Sequence, residues 1–126
     1  MSYKVLIVDD SKLARMAISR ILGALRPDWT RIEASNRDEA VARFGETGAD
    51  IALLDFNMPG HDGLALAFEL HDLKPEMPLA LVTTNTQREI VLRAGEIGAA
   101  FLPKPLTSES LADFLSNAEQ QLRMSV

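Results

Sequence analysis

Four short apolar runs each deliver a polar residue at their C-terminal end, and this repeated arrangement restricts the chain to few folds. Val5-Leu6-Ile7-Val8 runs into Asp9-Asp10, and Ile51-Ala52-Leu53-Leu54 runs into Asp55. Leu79-Ala80-Leu81-Val82 runs into Thr83, and Ala100-Phe101-Leu102 runs through Pro103 into Lys104-Pro105. Runs of this length and composition read as strands. Their nearly unbroken apolar character means that both faces are buried, as in a parallel sheet covered by helices on each side.

The intervening segments have helical periodicity. Leu13, Ala17, Ile21 and Leu25 recur at helical spacing between Ser11 and Leu25, before Arg26-Pro27-Asp28 stops the helix. A short strand near Arg31–Ala34 follows, then a helix entered through Asn36 with Glu39 three residues on and running to about Gly48. Leu64, Ala67, Leu70 and Leu73 mark a third helix ending before Pro75. A weaker helix spans about Thr86–Glu96 and ends at Gly98. Thr107 can cap a last helix bearing Leu111, Phe114, Leu115, Ala118 and Leu122. Five βα units of this size predict an α/β fold with an open, doubly wound, five-stranded parallel sheet. A chain of 126 residues with no repeat or linker reads as one domain over 1–126, without an output domain.

In such a sheet ligands bind beyond the carboxyl ends of the strands, where the strand order reverses. That rule gathers Asp9, Asp10, Asp55, Thr83 and Lys104 at one edge. Crowded carboxylates raise one another's pKa unless a cation offsets them. Mg²⁺ suits the set, because it takes oxygen ligands, keeps several waters and needs only one or two carboxylates. Asp10 and Asp55 are the best direct ligands, and Asp9 acts directly or through a water. For any one aspartate the alternative is a helix N-cap at Asp10 or a turn role elsewhere. Lys104, braced between two prolines, can pair with Asp55 and with a phosphoryl oxygen.

The net charge of −5, with Lys and Arg scattered, argues against nucleic-acid binding. No run approaches the ~20 apolar residues that span a bilayer. No cysteine is present, so disulfides and thiolate metal sites are excluded. A cytoplasmic protein is expected.

Val8-Asp9-Asp10-Ser11, Asp55-Phe56-Asn57-Met58-Pro59-Gly60-His61-Asp62-Gly63, Val82-Thr83 and Lys104-Pro105, in this order, resemble the receiver domains of two-component response regulators, the CheY-like family. The resemblance covers essentially the whole chain. It implies the flavodoxin-like strand order 2-1-3-4-5. It also implies that Asp55 is the phosphoacceptor, that Asp9, Asp10, Asp55 and the Asn57 backbone carbonyl hold Mg²⁺, and that Thr83 and Lys104 sense the phosphoryl group. Phe101 takes the switch-aromatic position, without the hydroxyl a tyrosine would bring, and Lys104-Pro105 is expected to be cis. Thr84 stands where a small residue is common. The implied partners are a sensor histidine kinase and a downstream protein, whether a motor, a phosphotransfer protein or a kinase. Binding would switch through the face of the fourth helix, fifth strand and fifth helix, on a monomer or weak dimer. The implied role is a phosphoacceptor switch, or an intermediate of a phosphorelay, rather than an enzyme.

Two other classes fit less well. An aspartate-nucleophile phosphatase places a general-acid aspartate two residues after the nucleophile, where this chain has Asn57. A flavodoxin-like cofactor binder needs a glycine- or hydroxyl-rich phosphate loop after the first strand, where Asp9-Asp10 would repel the phosphate. Trp29 is expected to cap the opposite end of the sheet, His61 to face solvent and His71 to lie on a helix surface. For Leu13 and Met16, core packing is preferred over a kinase-docking patch.

Overall fold

The computed structural model describes residues 2–58, 63–84 and 87–124. Five strands alternate with five helices: β1 Lys4–Val8, α1 Lys12–Leu25, β2 Thr30–Ala34, α2 Arg37–Thr47, β3 Ile51–Asp55, α3 Gly63–Leu73, β4 Leu79–Thr83, α4 Arg88–Gly95, β5 Ala100–Pro103 and α5 Ser108–Met124. The strands form one parallel sheet in the order β2-β1-β3-β4-β5. The doubly wound fold is as expected.

Alternation along each strand splits the core in two. Leu6, Val8, Leu54 and Leu81 pack under α2, α3 and α4, with Ala40, Leu66, Leu70 and Ala94. Val5, Ile7, Leu53 and Val82 pack on the other face, under Ile18 and Leu22 of α1 and Leu111 and Leu115 of α5. Every residue of β3 and β4 is buried. Truncating one of these leucines to alanine typically costs about 2–5 kcal/mol.

The helix starts follow their capping chemistry. Asn36 Oδ1 accepts from Glu39 N at 2.8 Å, and Glu39 Oε1 in turn accepts from Ser35 N at 3.3 Å. Thr107 Oγ1 accepts from Ser110 N at 3.1 Å. Ser11, not Asp10, is the N-cap of α1, accepting from Ala14 N at 3.2 Å. Asp10 is thereby free of the capping role that sequence left open to it.

The phase of α1 differs from expectation. Leu13 and Ala17 are exposed, and the inward arc is Ala14, Ile18, Ile21, Leu22 and Leu25. Apolar residues occupy most sides of this helix, so periodicity cannot choose its phase; packing between β1, β3 and α5 does. Leu73 likewise lies exposed at the end of α3. α4 begins at Arg88, with Thr86 outside the described residues, and Gly98 sits at φ 67° in the turn before β5.

Trp29 meets Tyr3 edge-on at 5.1 Å between ring centroids and lies 5.4 Å from the Arg26 guanidinium, which pairs with Glu119 at 2.6 Å. This cluster closes the end of the sheet where β1 and β2 begin, away from the aspartates. His71 is half-buried rather than fully on the surface, and its Nδ1 has no hydrogen-bond partner among the described residues. His61 lies outside the described residues.

Candidate functional site

Strand register brings the polar residues to one height. Val8 stands beside Leu54, Asp55 beside Val82, and Thr83 beside Pro103. The residues immediately after β1 and β5 therefore emerge next to Asp55. Backbone bonds extend the ladder past the strand ends: Asp9 N donates to Ala34 O at 3.1 Å, and Lys104 N to Thr83 O at 3.2 Å. β1 lies between β2 and β3, so the chain reverses direction of winding there, and the site opens at that crevice.

Asp9, Asp55 and Thr83 are 2%, 3% and 2% exposed. Asp10 is exposed. The carboxylates of Asp9, Asp10 and Asp55 offer oxygens that all lie within 4.8 Å of one another. Lys104 Nζ donates to Asp55 Oδ1 at 2.6 Å, and Asn57 N donates to the same oxygen at 3.2 Å. The Lys104–Pro105 peptide is cis. Phe101 is half-buried and packs against the α2–α3–α4 side of the core, one strand away from Thr83. Thr84 is exposed and, with Asp9 and Lys104, borders a cleft of about 430 Å³.

The cluster can hold a metal ion, and Asp9 supplies the test of fit. Its Oδ1 accepts from Ser11 N at 2.9 Å, whereas Oδ2 is buried with no partner among the described residues. An unsatisfied buried carboxylate oxygen is costly, and a bound cation removes the cost. Burial is also the main cause that raises the Asp9 pKa; Asp55 and Asp10 push it further up, while the Ser11 N–H and Lys104 oppose them.

A raised carboxyl pKa has a defined consequence for stability. The folded protein holds this proton more tightly than the unfolded chain does. The penalty of ionised Asp9 is absent below the ordinary value of 3.8 and complete above the raised one. Asp9→Asn should therefore raise the melting temperature of the metal-free protein at pH 7. Mg²⁺ should stabilise the wild type and have little effect on this variant. Thermal melts with and without Mg²⁺ measure both effects; a destabilised Asn variant would contradict this account of the buried carboxylate.

The response regulator receiver domain model matches residues 5–116. The chain belongs to this family. Its members are phosphoacceptor switches of two-component signal transduction. Among curated relatives, the positive alginate biosynthesis regulatory protein of Pseudomonas aeruginosa is 39% identical over 126 residues, covering 97% of this chain and 49% of that protein. The chain thus spans about half the length of that relative. Among solved structures, a response regulator receiver domain protein from Clostridium thermocellum superposes with a TM-score of 0.88 at 24% identity, covering 98% of both chains. Chemotaxis protein CheY4 of Vibrio cholerae gives 0.82 at 28% identity, over 94% of this chain and 99% of that one.

In this receiver the residues singled out from sequence converge at the strand ends, with Phe101 standing apart on β5. Three features escaped sequence reading. Leu13 and Met16 are 79% and 48% exposed, contrary to the core packing preferred for them. Gly63 packs directly on the Asp55 backbone, and Arg15 donates to the Asp9 carbonyl. Gly63 carries a signal in the Asp-Gly pair closing the loop; Arg15 carries none beyond its place one helical turn after Ser11.

Proposed function

We propose that this receiver accepts a phosphoryl group on Asp55 from a histidine kinase and answers by changing the face formed by α4, β5 and α5. The observation that carries the reading is the buried Asp55 carboxylate, ion-paired at 2.6 Å with Lys104 and crowded by Asp9 and Asp10. An ionised Asp55 oxygen attacks phosphorus, forming the O–P bond as the N–P bond to the donor imidazole breaks and that nitrogen is left to take a proton. Lys104 shifts from the free carboxylate toward the phosphoryl oxygens and offsets their charge. Asp9, Asp10, Asp55 and the Asn57 carbonyl would hold Mg²⁺, which when bound neutralises charge on the transferring group. The product is an acyl phosphate with roughly −1.5 to −2 of added charge at one spot.

Thr83 and Lys104 then bind the phosphoryl oxygens, and Phe101 turns inward behind Thr83. Inverting a 1:99 population takes about 5.5 kcal/mol. One charge-assisted hydrogen bond supplies about 1.5–3 kcal/mol, so Thr83, Lys104 and the Phe101 repacking must act together. Val91 and Leu92 are exposed on α4 and offer that face two apolar side chains for a protein partner. Such chemistry belongs to the cytoplasm, where the kinase has its phosphodonor.

Leu13 and Met16 are exposed on α1, the helix whose Ala14, Ala17, Ile18 and Ile21 line the cleft with Pro105-Leu106. This surface suits the donor protein rather than the reaction itself. Incubation with a small phosphodonor and Mg²⁺ should label wild type and a Leu13→Glu, Met16→Glu variant equally. Transfer from a phosphohistidine protein should fall about tenfold or more in the variant, as expected when two apolar anchors are lost. Equal loss with both donors would place these residues in the site and not at its approach. Failure of the small donor to label wild type would remove the functional reading.

A further inference from the structure

Arg15 has no part in the chemistry described above, yet it is bonded to the loop that carries the acidic pair. Its side chain is only 15% exposed. Nη1 donates to the main-chain carbonyl of Asp9 at 2.7 Å, and Nε donates to Glu33 Oε1 on β2 at 3.1 Å. The Asp9 N–H is already held by Ala34 O, and Asp9 Oδ1 by Ser11 N. Main-chain and side-chain groups of Asp9 are thus tied on three sides, leaving Oδ2 as the atom with no partner among the described residues.

The Asp9 carbonyl belongs to the peptide that joins Asp9 to Asp10. The orientation of that peptide sets the direction in which Asp10 leaves the strand. A guanidinium fork bonded to this oxygen and anchored on a second strand therefore controls both carboxylates at once. We infer that Arg15, clamped by Glu33, is a positioning residue that raises the affinity of Asp9, Asp10 and Asp55 for a divalent cation. The inference rests on reading those aspartates as a cation site.

Arg15 also carries a positive charge, which by itself opposes cation binding. The two roles predict opposite signs. Glu33 offsets the charge, and ionic strength screens what remains beyond about 8–10 Å. Loss of groups that orient metal ligands typically weakens binding about 10–100-fold. Bracing therefore dominates. Arg15→Gln should weaken Mg²⁺ binding about tenfold, although a positive charge has been removed. Arg15→Lys keeps the charge but cannot reach Asp9 O and Glu33 with one planar fork, so it should weaken binding as well, by less.

The experiment is a Mg²⁺ titration of unphosphorylated protein at fixed ionic strength, followed by amide chemical shifts around Asp9, Asp10 and Asp55. Parallel thermal melts ensure that only folded protein is compared. Weaker binding by both variants supports the inference, and should Arg15→Gln not fold, weaker binding by Arg15→Lys alone does so. Wild-type or tighter affinity in either folded variant overturns it, even if the melting temperature drops. A wild type that shows no saturable response to Mg²⁺ overturns the cation site itself, and this inference with it.

Discussion

Asp55→Asn is expected to abolish labelling by phosphodonors, with a loss of at least about a thousandfold, because a neutral amide offers no nucleophilic oxygen. Asparagine nearly matches aspartate in volume, so the 3%-exposed position keeps its packing. Removing one carboxylate also relieves the repulsion on buried Asp9, while Lys104 forfeits its partner at 2.6 Å. These effects oppose each other, and the fold survives. The measurement is incorporation of phosphoryl label from a small donor in Mg²⁺, with hydroxylamine release identifying an acyl phosphate and a melt confirming the folded state. Label retained by the Asn variant at the wild-type level would show that another residue is the acceptor.

Gly63→Ala is the second large effect, and it arises from backbone alone. A Cβ at this position would lie 2.1 Å from the Asp55 carbonyl oxygen, 2.8 Å from its carbon and 2.9 Å from Phe56 Cα. No flexible side chain can swing aside. Gly63 N also donates to Phe56 O at 2.8 Å, so the start of α3 is tied to the chain it would have to leave. Relief requires shifting α3 away from β3 or displacing Asp55. The expected cost is about 2–4 kcal/mol, in the range of severe overpacking. In the fraction that remains folded, phosphorylation should slow, because Asp55 would move relative to Lys104. Gly45→Ala is the control. Gly45 lies within α2 with nothing among the described residues inside 4 Å of an added Cβ, and alanine there should stabilise by up to about 1 kcal/mol. Denaturant melts and initial labelling rates test the pair; similar melts for the two variants would mean that close approach at Gly63 is not what constrains this loop.

Much of the site was legible because short buried strands leave little freedom. An apolar run such as Ile51–Leu54 must end where the sheet ends, so the polar residue after it lands on the rim. Parallel pairing then sets Asp9, Asp55, Thr83 and Lys104 side by side without any contact being known in advance. Capping at Asn36 and Thr107 was equally readable, since it depends on residues three apart.

The rest depended on contacts between segments far apart in the chain. Whether Ser11 or Asp10 caps α1 is decided by which one is left at the helix mouth after Asp9 joins the ladder to Ala34. The phase of α1, and with it the exposure of Leu13 and Met16, is decided by where β1, β3 and α5 leave room. The sequence by itself determined the alternating architecture and the identity of the polar rim, because periodicity and strand length are local properties. Only the tertiary structure decided that Gly63 must lack a Cβ, that Arg15 reaches the Asp9 carbonyl, and that one Asp9 oxygen has no partner among the described residues. Those facts follow from how closely separate elements approach, and no local pattern encodes such a distance.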